Sequence, residues 1–173
     1  WGTEASALLA HDLNNGLAVA HAVGVIHADV TASNIFVSDE GHAKLVDFGL
    51  ALLRDDPRRL EGDAPTEFVF GTPSYIAPEQ IRGNRASERA DQYSLGIVMF
   101  EMLAGEPPFA ATTTRDLCLK HLQAPVPELV SPHGAVPRAL VDIIHRCLAK
   151  KPDARFGSTQ ELVQALTTVE QAM

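Results

Sequence analysis

The pattern of apolar and polar positions changes twice along the chain and divides it into three stretches. Over residues 4–24, Leu9, Leu13, Leu17 and Ala20 recur three or four residues apart, and Leu8 and Val19 widen the stripe. Apolar residues at that spacing share one face of a helix, so an amphipathic helix is predicted here. Asn14, Asn15 and Gly16 weaken it, because none of them favours a helix interior. After Gly24 the pattern becomes short and strand-like. Val25-Ile26 leads into a polar loop, Ile35-Phe36-Val37 and Lys44-Leu45-Val46 are β-type runs, and Asp39-Glu40-Gly41 is a turn between them. Two short runs joined by such a turn predict a hairpin with polar residues at its ends.

Residues 51–75 hold prolines at 57, 65 and 73 and glycines at 62 and 71, which predicts a long irregular loop. Loops of that length inside a compact domain are characteristically functional or disordered. From Glu88 onward helical patterns dominate, with breaks at 105–108, 125–137 and Pro152. The most apolar stretch, Tyr93 to Ala104, is interrupted by Glu101. It is far short of the roughly 20 residues a spanning helix needs, so it predicts a buried core helix and no membrane segment. Asp91 lies near its start, where a carboxylate suits the helix dipole. Ser158 followed by Glu161 is a capping-box pattern for the last helix. The fold class expected is mainly α with one small β-hairpin.

Composition narrows the function classes. The 173 residues are 46% apolar, enough to offset the entropy of ordering, and the net charge is −8. That charge argues against a nucleic-acid or membrane-surface partner. Cys118 and Cys147 lie in different segments with no metal-ligand spacing. A disulfide framework or zinc site is therefore not expected, and a reducing cytoplasm fits. The first residue is Trp1 and not Met, which suggests part of a longer chain.

The chemistry concentrates at the ends of the hairpin. Residues 27–34 read His-Ala-Asp-Val-Thr-Ala-Ser-Asn, and Asp47-Phe48-Gly49 follows the second strand. Asp29, Asn34 and Asp47 are oxygen donors on loops without sulfur or imidazole partners, a set that suits Mg²⁺ and substrate phosphates. A further carboxylate nearby can accept a proton from an attacking hydroxyl. The combination suits phosphoryl transfer.

These segments resemble the C-terminal lobe of a eukaryotic-type (Hanks-type) serine/threonine protein kinase, and more particularly bacterial members. Residues 27–34 are similar to the catalytic loop, and residues 47–79 to the activation segment. That segment opens with Asp-Phe-Gly and closes with Gly71-Thr72-Pro73-Ser74-Tyr75-Ile76-Ala77-Pro78-Glu79. Asp91-Gln92-Tyr93-Ser94-Leu95-Gly96, Gly105-Glu106-Pro107-Pro108-Phe109 and the run from Leu148 to Phe156 match later landmarks in the same order. The resemblance spans essentially the whole chain and implies roles. Asp29 would be the catalytic base, and Asn34 and Asp47 would hold Mg²⁺ against ATP. Thr72 would bond to the catalytic loop, Glu79 would pair with Arg155, and Asp91 would anchor the catalytic-loop backbone. Thr66 is the candidate phosphorylation site. The implied partners are ATP and a protein substrate in the cytoplasm.

Three departures bear on activity. Ala28 replaces the arginine that, in the family, grips a phosphorylated activation loop, so the chain resembles the subclass not switched that way. Thr31 stands where these kinases place a lysine, and a neutral hydroxyl does not stabilise charge on the transferring phosphoryl group. No glycine-rich loop or Val-Ala-Ile-Lys strand precedes residue 27, so the N-terminal lobe that completes the ATP site is missing from residues 1–173. Two readings follow: the catalytic C-lobe of an active kinase, or a pseudokinase serving as a regulatory binding module.

Overall fold

A computed structural model describes residues 2–53 and 72–173. Helix α1 (Thr3–Ala22) leads to strand β1 (Val25–Ile26), and the hairpin follows as β2 (Ile35–Val37) and β3 (Ala43–Leu45). Strand β4 (Leu52–Leu53) comes next, then α2 (Pro78–Ile81), α3 (Glu88–Ala104), α4 (Thr114–Gln123), α5 (Arg138–Cys147) and α6 (Thr159–Glu170). The mainly helical class expected from the pattern is the one observed.

Helix α3 is the core. Twelve of its residues are buried, including Tyr93, Leu95, Ile97, Val98, Met99 and Phe100, so it is enclosed on every side rather than amphipathic. Ser87 caps it, its hydroxyl accepting from the Ala90 amide at 3.2 Å, and Gly105 ends it with φ 84°. Helices α1 and α5 both pack on α3, and α6 lies across α1 and α5. The α3–α5 contact needs Gly96: a Cβ there would stand 2.8 Å from Cys147 Cβ and 3.0 Å from Leu148 Cδ2.

The α1 stripe differs from the expectation. Leu9, Leu13 and Leu17 are buried, but Val19 is 70% exposed and Leu8 37% exposed. The inward row continues through Ser6, Asn14 and His21 instead. Asn14 does not interrupt the helix; its amide donates to the Ala10 carbonyl at 2.8 Å. His21 takes the place expected for Ala20 because it has a buried polar partner, described below.

The hairpin pairs Ile35 with Leu45, Phe36 with Lys44 and Val37 with Ala43, so the second strand begins and ends one residue earlier than its apolar run. Val46 lies just past the strand, and its amide donates to the Asn34 carbonyl at 2.9 Å in the same register. Asp12 of α1 accepts from the Ala43 amide at 3.0 Å and ties the hairpin to the helix. The loop predicted over 51–75 is not wholly irregular, since Leu52 and Leu53 pair antiparallel with Ile26 and Val25. In α6, Ser158 accepts from the Glu161 amide at 3.2 Å, while Glu161 reaches back one residue further, to the Gly157 amide at 2.8 Å. Among the described residues no helix is long and apolar enough to cross a membrane.

Candidate active site

The polar loop between β1 and β2 and the bend after β3 meet at one end of the hairpin. The Val46 amide bond to Asn34 brings Asp47 beside the catalytic-type loop. Asn34 spans that loop: its Nδ2 donates to both the Asp29 carbonyl and Asp29 Oδ2, each at 2.9 Å. One Asp29 carboxylate oxygen is thereby oriented. The Asn34 side-chain oxygen takes no part in these bonds.

Asp47 has φ 62°, a left-handed conformation that aspartate tolerates because its carboxylate bonds the chain just ahead. Its Oδ1 accepts from the Gly49 amide at 3.0 Å. Gly49 is needed for that turn, because a Cβ there would lie 2.8 Å from the same Oδ1. The side chain of Asp47 is exposed and open to a ligand.

Ala28 is also left-handed, with φ 64°, and an alanine side chain offers no such compensation. The compensation comes from α3. Asp91 Oδ1 accepts from the Ala28 amide and Oδ2 from the His27 amide, both at 2.9 Å. Oδ2 also lies 2.8 Å from His21 Nε2, and His21 Nδ1 lies 2.6 Å from the Thr159 hydroxyl. One buried carboxylate thus ties the loop to α1, and through His21 to α6. His27, fully buried, receives the Asp29 amide on Nδ1 at 3.3 Å. Its Nε2 faces the Val46 carbonyl at 3.2 Å, and its ring packs on Phe48 at 4.5 Å between centroids. An amide can only donate and a carbonyl only accept, so the ring proton sits on Nε2. His27 therefore links the two loops that carry Asp29 and Asp47. Sequence reasoning gave His21 and His27 no role.

Glu79 and Arg155 meet in the interior as a two-pronged pair. Nη1 stands 2.6 Å from Oε1, and Nη2 stands 2.8 Å from Oε2. The guanidinium also donates to the Ala149 and Arg89 carbonyls at 2.9 and 2.7 Å, so the buried cation has its hydrogen bonds largely satisfied. The pair fixes the end of the Gly-Thr-Pro segment to the loop before α6. Earlier in that segment the Tyr75 hydroxyl donates to Glu101 at 2.6 Å, and Ser94 donates to the Tyr75 carbonyl at 2.7 Å. Burial, with Glu101 beside it, holds the Tyr75 phenol well above its ordinary pKa. Thr72 is exposed, and among the described residues its hydroxyl makes no bond to the catalytic-type loop. Thr66 lies outside the described residues.

The family model described as the protein kinase domain matches residues 3–166. The chain belongs to the protein kinase family. It is 42% identical over 161 residues to the serine/threonine-protein kinase PknD of Mycobacterium tuberculosis, covering 90% of this chain and 24% of that protein. It is 36% identical over 172 residues to the serine/threonine-protein kinase PkaA of Streptomyces coelicolor, covering 98% of this chain and 30% of that protein. The probable serine/threonine-protein kinase PknB of Lactococcus lactis is 31% identical over 157 residues, covering 91% of this chain and 24% of that protein. The kinase chain described here therefore spans 24% to 30% of the length of these relatives.

Two positions bear on the charge beside Asp29. Thr31 is 2% exposed, and its hydroxyl lies 2.9 Å from that of Ser33. Lys44 is the only lysine or arginine from residue 24 to residue 53, and it sits in the hairpin opposite Phe36. Within these residues nothing cationic stands in the catalytic-type loop beside Asp29.

Proposed function

We propose that the full-length protein transfers the γ-phosphate of Mg·ATP to serine or threonine hydroxyls of a protein substrate. Residues 1–173 would be the C-terminal lobe of its kinase domain, with the ATP clamp on a preceding lobe. The observation that carries this reading is Asn34 bridging the backbone and the carboxylate of Asp29, beside Asp47 at the same hairpin end.

In this reading Asp29 accepts the proton of the substrate hydroxyl. The hydroxyl oxygen bonds to the γ-phosphorus as the bond to the bridging oxygen breaks, and ADP leaves. The donor set fits the metal: Asn34 offers an amide oxygen and Asp47 a carboxylate oxygen not used by Gly49, both hard ligands suited to Mg²⁺. When bound, the ion would offset phosphate charge. Asp91, through the His27 and Ala28 amides, keeps Asp29 aligned. Glu79 and Arg155 brace the segment against which the substrate would lie. The acidic charge and two free, buried cysteines support a cytoplasmic setting.

Thr31 favours a second reading, a pseudokinase that binds nucleotide and regulates a partner with little transfer. Its buried hydroxyl, paired with Ser33, supplies no cation. Radiolabel transfer from Mg·ATP by the full-length protein, beside an Asp29→Asn variant, separates the two. Incorporation that drops at least a hundredfold in the variant supports the kinase. Equal incorporation removes Asp29 as the base, and nucleotide binding without transfer in either protein establishes the regulatory module.

A further inference from the structure

The catalytic-type loop is held through three buried side chains on three different helices. Thr159, in the first turn of α6, is fully buried, and its hydroxyl meets His21 Nδ1 at 2.6 Å. His21 Nε2 meets Asp91 Oδ2 at 2.8 Å, and the Asp91 oxygens accept the amides of His27 and Ala28, the two residues before Asp29. A carboxylate only accepts, so Nε2 carries the hydrogen that faces Asp91. Nδ1 is bonded whether it accepts from the Thr159 hydroxyl or donates to it. The ring is thus fixed at both edges.

Two observations tie this run of bonds to Asp29 rather than to the packing of α6 alone. Ala28 has φ 64°, a conformation alanine does not hold by itself, so the direction of the Asp91 bond matters as well as its strength. Thr159, His21 and Asp91 are all shielded from solvent, where a lost bond is not readily replaced. The second observation is a contrast within the same helix pair. Further along α1 and α6, His11 Nε2 lies 3.1 Å from the Thr167 hydroxyl. That imidazole–hydroxyl contact is only part-buried, and the other His11 nitrogen faces Asn15 and Glu170 instead of Asp91.

We propose that Thr159 is a positioning residue for phosphoryl transfer: its hydroxyl orients His21, His21 orients Asp91, and Asp91 holds the strained Ala28 backbone that aims Asp29. The inference rests on the kinase reading for its effect on rate and on geometry alone for its effect on the loop, so the two can fail separately.

In the full-length protein, Thr159→Val keeps the shape of the side chain and removes the hydroxyl, whereas Thr159→Ser keeps the hydroxyl. Thr167→Val breaks the other imidazole–hydroxyl contact between the same helices. Circular dichroism first establishes that each variant is folded at the assay temperature, and Thr159→Ala takes the place of Thr159→Val if the latter is not. Thr159→Val should lower kcat about tenfold, with KM for Mg·ATP and for the protein substrate within about twofold. Thr159→Ser and Thr167→Val should both keep kcat within about twofold of the wild type. An unchanged kcat in Thr159→Val, a loss that Thr159→Ser shares, or an equal loss in Thr167→Val overturns the proposal.

Absence of transfer in the wild type would sink the kinase reading alone, and hydrogen exchange then decides. The His27 and Ala28 amides should exchange about tenfold faster in Thr159→Val and at the wild-type rate in Thr159→Ser and Thr167→Val, while those of Leu162 to Leu166 stay as they are. Unaltered exchange at His27 and Ala28 overturns the proposal whatever the activity, as does faster exchange confined to α6.

Discussion

Asp91 Oδ1 accepts the amide hydrogen of Ala28 at 2.9 Å, and Ala28 has φ 64°. A buried carboxylate 63 residues away in the chain therefore holds an alanine in a conformation its own side chain disfavours. The left-handed region costs a residue with a Cβ about 1–2 kcal/mol, and that strain lies next to Asp29.

Replacing Ala28 by glycine should therefore stabilise the fold. Relief of the left-handed penalty outweighs the extra freedom glycine has when unfolded, for a net gain of roughly 0.5–1 kcal/mol. Urea denaturation of the wild type and Ala28→Gly checks this, with the midpoint expected to rise at unchanged slope. A lower midpoint would show that the alanine methyl makes a contact worth more than the strain.

The Glu79–Arg155 pair predicts the opposite sign. Arg155 is 2% exposed and Glu79 5%, so neither charge has water to fall back on. Glu79→Gln leaves the guanidinium buried without its counter-charge and should cost about 3–5 kcal/mol. Calorimetry checks it, and a loss below about 1 kcal/mol would mean that the Ala149 and Arg89 carbonyls alone suffice for the cation.

Much of this site was readable because its chemistry is local. Asp29 and Asn34 are five residues apart on one loop, and Asp47 is carried back to them by a hairpin whose two short β-type runs and turn are visible in the sequence. The histidines were not readable in the same way. His21 looks like an ordinary polar position at the end of a helix, and only the meeting of α1, α3 and α6 shows it to be buried against Asp91 and Thr159. Likewise β1 and β4 are two residues each, too short for a period, and pair only because the chain returns beside β1. Thr72 shows the reverse: a familiar motif suggested a bond to the catalytic-type loop, and the side chain stands exposed.

Acid should expose His121. Burial, aided by the Lys150 charge, lowers its pKa from 6.5 to about 4. Between those values the unfolded chain binds a proton that the folded one refuses, so stability falls as pH drops from 6.5 towards 4 and is unaffected above that window. The full effect is on the order of 3 kcal/mol at one proton and about two and a half pH units. Denaturation midpoints for wild type and His121→Gln across pH 4–7 provide the check. The variant should lose less stability over this range, and parallel curves would mean that His121 titrates normally.

Thr31 bears most directly on rate. Its hydroxyl is buried against Ser33, two residues after Asp29, in a loop without lysine or arginine. Charge spreads over the phosphoryl oxygens during transfer, and fixed cations at that point act in a medium where they count for more than in water. Thr31→Lys adds such a cation on a stem long enough to reach out of the buried position. Transfer by the full-length protein should rise, by roughly tenfold or more if the missing charge limits the chemical step. Thr31→Met, similar in bulk and length but neutral, controls for packing and should leave turnover unchanged or lower. Single-turnover kinetics at saturating Mg·ATP give the chemical step directly. A lysine variant no faster than the methionine one would show that the rate is set elsewhere.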